Sequence, residues 1–186
     1  VSAAKNPYSV AVFDLVHQPG QSKELALDFA APEKLGEGMI AVQAGAPVQI
    51  DLRLEVLHDG ILASGEVDTT AEGQCVRCLT DVAERVQVDF QELFAYTSDE
   101  AFDFEVHDDH VDLEPLVRDS VVLSLPFQPV CRPDCPGLDP ETGERLADHP
   151  DREPRENTDP RWAALADFRA SEDTEAGTTG TDTEER

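Results

Sequence analysis

The sequence predicts an α+β fold: a mainly antiparallel β-sheet with one buried helix, two cysteine knuckles, and a disordered acidic C-terminal tail. Three observations carry this expectation. Residues 48–56 alternate strictly, with Val48, Ile50, Leu52, Leu54 and Val56 on one face and Gln49, Asp51, Arg53 and Glu55 on the other, the pattern of a half-buried antiparallel strand. Leu113, Leu116, Val117, Ser120, Val121 and Ser124 recur at helical spacing and stop before Pro126. After Leu138 the composition collapses into Asp, Glu, Pro, Arg and Thr, too poor in apolar residues to bury a core.

Taken in order, residues 9–16 read as a first strand and residues 22–29 alternate as a second, before Pro32, Gly36 and Gly38 break the chain. After the 48–56 strand, His58-Asp59-Gly60 supplies a turn. Residues 61–71 then return with Ile61, Ala63, Gly65, Val67 and Thr69 in step, which makes a hairpin. Residues 79–96 keep a two-residue beat through Val82, Val86, Val88, Phe90, Phe94 and Tyr96; the slip at Glu92-Leu93 reads as a bulge. The acidic stretch from Asp99 to Glu114 lacks the spaced ligands and turn glycine of an EF-hand, so a solvated loop is expected. Asp112 reads as the helix N-cap, and Pro115 falls in the first turn, where its missing N–H is harmless. Val122, Leu123 and Leu125 widen the apolar surface, so the helix is expected to be buried on much of its circumference. Asp159, Pro160, Trp162, Leu165 and Phe168 outline a short amphipathic helix; docking on its own domain is the favoured expectation and docking on a partner the alternative. The expected organisation is a β-rich domain over residues 8–138, a loosely ordered extension over 139–170, and a disordered tail over 171–186.

Charge narrows the function classes. Forty acidic residues against 14 Lys and Arg, in 186 residues, leave a net charge of −26. Affinity for a phosphate backbone comes from cations that release condensed counterions, so nonspecific adhesion to nucleic acid is disfavoured and basic protein partners are favoured. The same composition also serves plain solubility. No run approaches a membrane span, and the first residues carry no apolar core of signal-peptide length, so a cytoplasmic protein without membrane contact is expected.

The four cysteines form two tight pairs, Cys75-Val76-Arg77-Cys78 and Cys131-Arg132-Pro133-Asp134-Cys135. Each pair can present two thiolates to one soft tetrahedral cation, and the spacing favours a closed four-thiolate zinc site that staples distant segments and leaves no open position for catalysis. The 52 residues between the pairs far exceed the spacers of common zinc ribbons. Alternatives are disulfides, which need an oxidising compartment; thioredoxin-like redox chemistry, which needs the C-x-x-C at the start of a helix; and unligated thiols packed as small hydrophobes. Cys75 lies between two strand-like runs, and the neighbours Gly73, Arg77, Arg132, Pro133 and Asp134 are polar or turn-forming.

No enzyme constellation emerges, and no small-molecule substrate is implied. His17, His58, His107, His110 and His149 are scattered through turns and acidic loops, away from any nucleophile motif. His107 and His110 beside Asp108 and Asp109 form a conceivable metal cluster, but without a further ligand at helical or ribbon spacing they read as solvated surface.

With these pieces in order, the chain resembles the YceD family, the large ribosomal RNA subunit accumulation proteins. The matching features are the Cys75-Val76-Arg77-Cys78-Leu79 knuckle after a hairpin; the long strand ending near Glu92-Leu93-Phe94; the acidic loop; the run from Val111 to Pro126; the second cysteine pair leading to Gly137-Leu138; and an Asp-Pro-Arg-Trp segment at Asp159. Many relatives carry a further cysteine pair where this chain has Asp139 and Thr142. The resemblance implies a cytoplasmic, non-enzymatic factor supporting accumulation of large-subunit ribosomal RNA and assembly of the large ribosomal subunit. Its expected partners are ribosomal proteins or assembly factors of the large subunit; whether ribosomal RNA is touched directly stays open, and the acidic charge favours indirect contact through those proteins. The competing reading is a generic zinc-stapled acidic adaptor that binds a basic protein unrelated to ribosomes.

Overall fold

The computed structural model describes residues 6–16, 18–97, 103–150 and 161. By its contacts the chain divides into two units, Val1–Leu138 and Asp139–Arg186. The first holds β1 (Ser9–Ala11), β2 (Ser22–Ala30), β3 (Ile40–Ala41), β4 (Pro47–Val56), β5 (Gly60–Gln74), β6 (Asp81–Ala95), β7 (Phe104–Glu105), β8 (His110–Asp112) and α1 (Glu114–Ser124). This is a mixed α and β fold with a mostly antiparallel sheet. The helix expected at 159–168, apart from Arg161, and the tail from 171 lie outside the described residues.

The main sheet runs β2-β4-β5-β6-β7, antiparallel except for the short parallel pairing of β7 on β6. Alternation sets the register. Val48 pairs Thr69, Ile50 pairs Val67, and Val56 pairs Ile61; on the next strand Ile61 pairs Phe94 and Val67 pairs Val88, so the apolar set of each strand falls on one face. That face carries the buried core, with Val48, Ile50, Leu54, Ile61 and Val67 at 1% exposure or less. Each such side chain taken from water contributes roughly 1.5–3 kcal/mol. The β5–β6 pairing is continuous from Gly60↔Ala95 to Gln74↔Asp81, so the bulge expected at Glu92-Leu93 is absent. Glu92 occupies an inward-parity position opposite Ala63, and Leu93 faces outward; the beat slips in chemistry while the backbone register holds.

Other expectations need correction. The first strand is only Ser9–Ala11 and pairs with β8 in a separate two-stranded sheet, while residues 13–16 turn. His107 and His110 close a two-residue hairpin, each N–H donating to the other's carbonyl, with Asp108 and Asp109 both left-handed at φ 48° and 58°. The N-cap of α1 is Leu113 rather than Asp112; the Asp112 carboxylate, one residue earlier, still accepts the Glu114 N–H at 3.0 Å. Pro115 is the second helical residue. Leu116, Val117 and Val121 are buried, but Val122 is partly exposed and Leu123 is 84% exposed, so α1 buries one stripe and not most of its circumference. The sheet covers it from one side, where it packs against β6.

In the second unit, Asp139 closes a turn. Its carboxylate accepts the Glu141 and Thr142 N–H groups, and its own N–H donates to Glu144 O at 2.8 Å. A 3-10 turn, Leu146–Asp148, follows.

Candidate metal centre

The connection of the long β5–β6 hairpin, residues 75–80, is itself the first cysteine knuckle. Cys75 N–H donates to Thr80 O at 2.8 Å and Leu79 N–H to Cys75 O at 2.9 Å, which curls the loop around the two thiols. Leu79 turns the chain at φ 57°, a left-handed backbone that costs a β-carbon residue roughly 1–2 kcal/mol, and its side chain stays half exposed. The second knuckle arrives from the far end of α1. Val76 N–H donates to Pro129 O at 2.9 Å, laying the segment after the helix against the first knuckle, and Cys135 N–H donates to Arg132 O at 3.1 Å to close the second turn.

Arg77 binds the two knuckles together. Its Nη1 donates to Pro133 O at 3.1 Å and Cys135 O at 3.2 Å. Gly137, at φ 83°, lets the chain leave beside it; a Cβ there would sit 3.3 Å from Arg77 O.

These contacts bring all four cysteine sulfurs within 4.8 Å of one another. Cys75 Sγ is 3.9 Å from Cys135 Sγ, and Cys78 Sγ is 3.6 Å from Cys131 Sγ. Four sulfurs held about 2.3 Å from a tetrahedral zinc stand roughly 3.8 Å apart, so the donor set and spacing fit such an ion. The thiols are free, at separations far beyond the roughly 2.05 Å of a disulfide. Cys75, Cys78 and Cys135 are buried, and Cys131 forms the exposed corner. Among the described residues no other group of three or more His, Cys, Asp or Glu side chains gathers in this way.

The electrostatics divide the four. Burial pushes the Cys75 thiol up, but hydrogen bonds from the backbone amides of Cys131, Cys78 and Arg77 outweigh it and bring the group to about 6. Cys78 is lowered first by its hydrogen bond with the Thr80 hydroxyl, 3.2 Å away, and then by one with the Thr80 backbone. Cys131 is pushed up to about 12, first by its hydrogen bond to Cys135 and then by burial. Burial also raises Cys135. Adjacent thiolates repel, so one half of the cluster ionises at the other's expense; a bound divalent cation removes that conflict and lets all four deprotonate.

Sequence reasoning named all four cysteines and missed the groups that assemble them: Arg77, Thr80, Pro129 and Gly137. Gly137 alone carried a usable signal, a glycine just past a knuckle. Arg77 lay in plain view between two cysteines, but its acceptors are backbone carbonyls that no side-chain pattern announces.

Comparison with known proteins places this geometry in context. The family model described as large ribosomal RNA subunit accumulation protein YceD matches residues 63–169, a stretch that holds all four cysteines. An uncharacterized protein of Mycobacterium tuberculosis is 42% identical over 170 residues, 88% of this chain and 82% of that protein. An uncharacterized protein of Mycobacterium leprae is 36% identical over 180 residues, 91% of this chain and 82% of that one. The Bacillus subtilis protein YlbN, also uncharacterized, is 28% identical over 129 residues, 64% of this chain and 73% of its own. No solved structure matches the chain at a significant level.

Proposed function

Because the chain belongs to the YceD family of large ribosomal RNA subunit accumulation proteins, we propose that it is a cytoplasmic, non-enzymatic factor supporting accumulation of large-subunit ribosomal RNA and assembly of the large ribosomal subunit. The family match over residues 63–169 is the observation that carries this reading. Among the described residues no helix is long and apolar enough to cross a membrane.

Charge supports action through protein partners. A chain at −26 opposes a phosphate backbone and attracts basic surfaces, the chemistry of ribosomal proteins before they meet RNA. Contact with ribosomal RNA is then indirect.

Within this role the four thiolates of Cys75, Cys78, Cys131 and Cys135 hold a structural zinc. The sulfur spacing and the all-thiolate donor set support that assignment, and a closed site of this kind contributes to folding and not to a reaction. Asp139 and Thr142 hold a turn through their own hydrogen bonds and are not needed by a four-sulfur centre.

Fractionation of ribosomal particles tests the role. Cosedimentation with large-subunit precursors is expected, and a purely soluble fraction would favour the generic adaptor. Partners that copurify should survive nuclease digestion; their loss on digestion would contradict protein-mediated action.

A further inference from the structure

A groove of about 710 Å³ lies between the turn at residues 36–39 and the C-terminal end of α1. Three of the large apolar side chains exposed among the described residues, Met39, Val122 and Phe127, line it. Phe127 is 92% exposed, and Leu123, on the same open side of α1 as Val122, is 84% exposed. Isolated apolar residues on a surface need no explanation, but several around one concavity mark an interaction site. Gly38 adds no side chain to its side of it and stays exposed, while Gly36 lies close under the Leu125 side chain.

Charge identifies what fits. Glu37 stands among the lining residues. Asp119 is exposed on α1, three and four residues before Val122 and Leu123, hence on the same face. The last turn of α1 contains no basic residue, so the negative end of the helix dipole is uncompensated beside the groove. A second copy of this chain would bring the same acidic groups to the same place, and RNA would bring phosphates; both are opposed by charge.

We propose that this groove docks a basic amphipathic helix of a protein partner, with apolar anchors on Met39, Val122 and Phe127 and Lys or Arg facing Glu37, Asp119 and the end of α1. Helix-in-groove recognition of this kind reads anchors at helical spacing. The inference rests on the assembly-factor reading in taking the partner to be a basic protein, and it adds where that partner sits. Val76 lines the groove and donates its N–H to Pro129, so the surface is continuous with the cysteine knuckle.

The test uses the full chain and a fluorescent leucine-lysine peptide with leucines at helical spacing, set against a scrambled peptide of the same composition and read by fluorescence anisotropy. The patterned peptide is expected to bind at least about tenfold more tightly than the scrambled one, and Phe127→Ser or Met39→Ser to erase about that factor, as truncation of an anchor does. Phe13→Ser, which removes an exposed ring outside the groove, should change nothing. Equal binding of the two peptides, or no effect of Phe127→Ser, overturns the proposal. So does self-association that Phe127→Ser abolishes, or displacement of the peptide by an RNA hairpin. Particle fractionation separates the two readings: cosedimentation without peptide selectivity sinks the groove alone, whereas selectivity without cosedimentation supports the groove and sinks the ribosomal role.

Discussion

Cys75 and Cys131 show how differently one thiol can behave from another inside a single cluster. Cys75 is enclosed and receives three backbone amides, whereas Cys131 is exposed and meets mainly other sulfurs. A four-thiolate site needs every sulfur deprotonated, so loading zinc should release the protons the thiols still carry, and zinc affinity should fall as pH falls. Calorimetric titration in two buffers of different ionisation enthalpy counts them, and a count near zero would mean that the thiolates are not the ligands. Cys75→Ser should cut the zinc content from one ion per chain to near none and lower Tm sharply. A structural zinc carries apparent binding energy on the order of 10–16 kcal/mol, as large as the roughly 5–15 kcal/mol stability of a typical domain. Metal analysis of the wild type showing no zinc would overturn the assignment. Gly137→Ala asks for a smaller effect: at φ 83° and with its new Cβ 3.3 Å from Arg77 O, it should destabilise by about 1–2 kcal/mol without removing any ligand.

Among the elements, the β5–β6 hairpin does most to build the centre, because both strands run past the end of β4 and present their connection as the first knuckle. β3 stiffens this overhang by pairing Ile40 with Gly73 and Ala41 with Glu72. The approach is so close that a Cβ on Gly73 would lie 2.1 Å from Met39 O and 2.6 Å from Ile40 Cα. Gly73→Ala should thus push β3 off the sheet, cost roughly 1–3 kcal/mol as overpacking does, and speed hydrogen exchange at the Gln74 amide, which donates to Met39 O. Unchanged exchange at Gln74 would show that β3 is not held there. The long strands were legible in the sequence because strict alternation over residues 48–56, kept up on the return strand by Ile61, Ala63, Val67 and Thr69, leaves one register that buries these side chains together. β3, β7 and β8 were not, being two or three residues long and defined only by partners remote in the chain. The burial of α1 was overread for a related reason. Val122 and Leu123 have the same chemistry as Val117 and Val121, and only the placement of the sheet decides which pair is covered. At the site, the cysteines announced themselves by type and spacing, while their convergence depended on the Val76–Pro129 and Arg77–Cys135 contacts between separate segments.

Over the whole molecule, the excess of acids is a stability term as well as a partner signal. The outward face of the sheet carries Asp51, Glu55, Glu66, Asp68, Glu72 and Asp89, offset there by Arg53 and Arg85. Self-repulsion in such a field is long-ranged at low salt, since the screening length is about 30 Å at 0.01 M and about 8 Å at 0.15 M. Tm at pH 7 should therefore rise with added NaCl, even though salt weakens exposed pairs such as Arg85–Asp68 and Arg53–Glu24. Acid acts on the same groups with two signs. The Arg85 guanidinium holds the Asp68 carboxyl below its ordinary range, as Lys23 does for Asp14. The stability these pairs contribute is complete above the ordinary value of 3.8 and is lost only as pH falls through the lower, folded-state value. Acid reduces the net negative charge while these pairs are still intact, so the salt-induced gain in Tm should be largest at pH 7 and shrink toward pH 4. Thermal melts at low and high NaCl across that range measure it; a gain of the same size at both ends would show that repulsion among the acids does not set the stability of this fold.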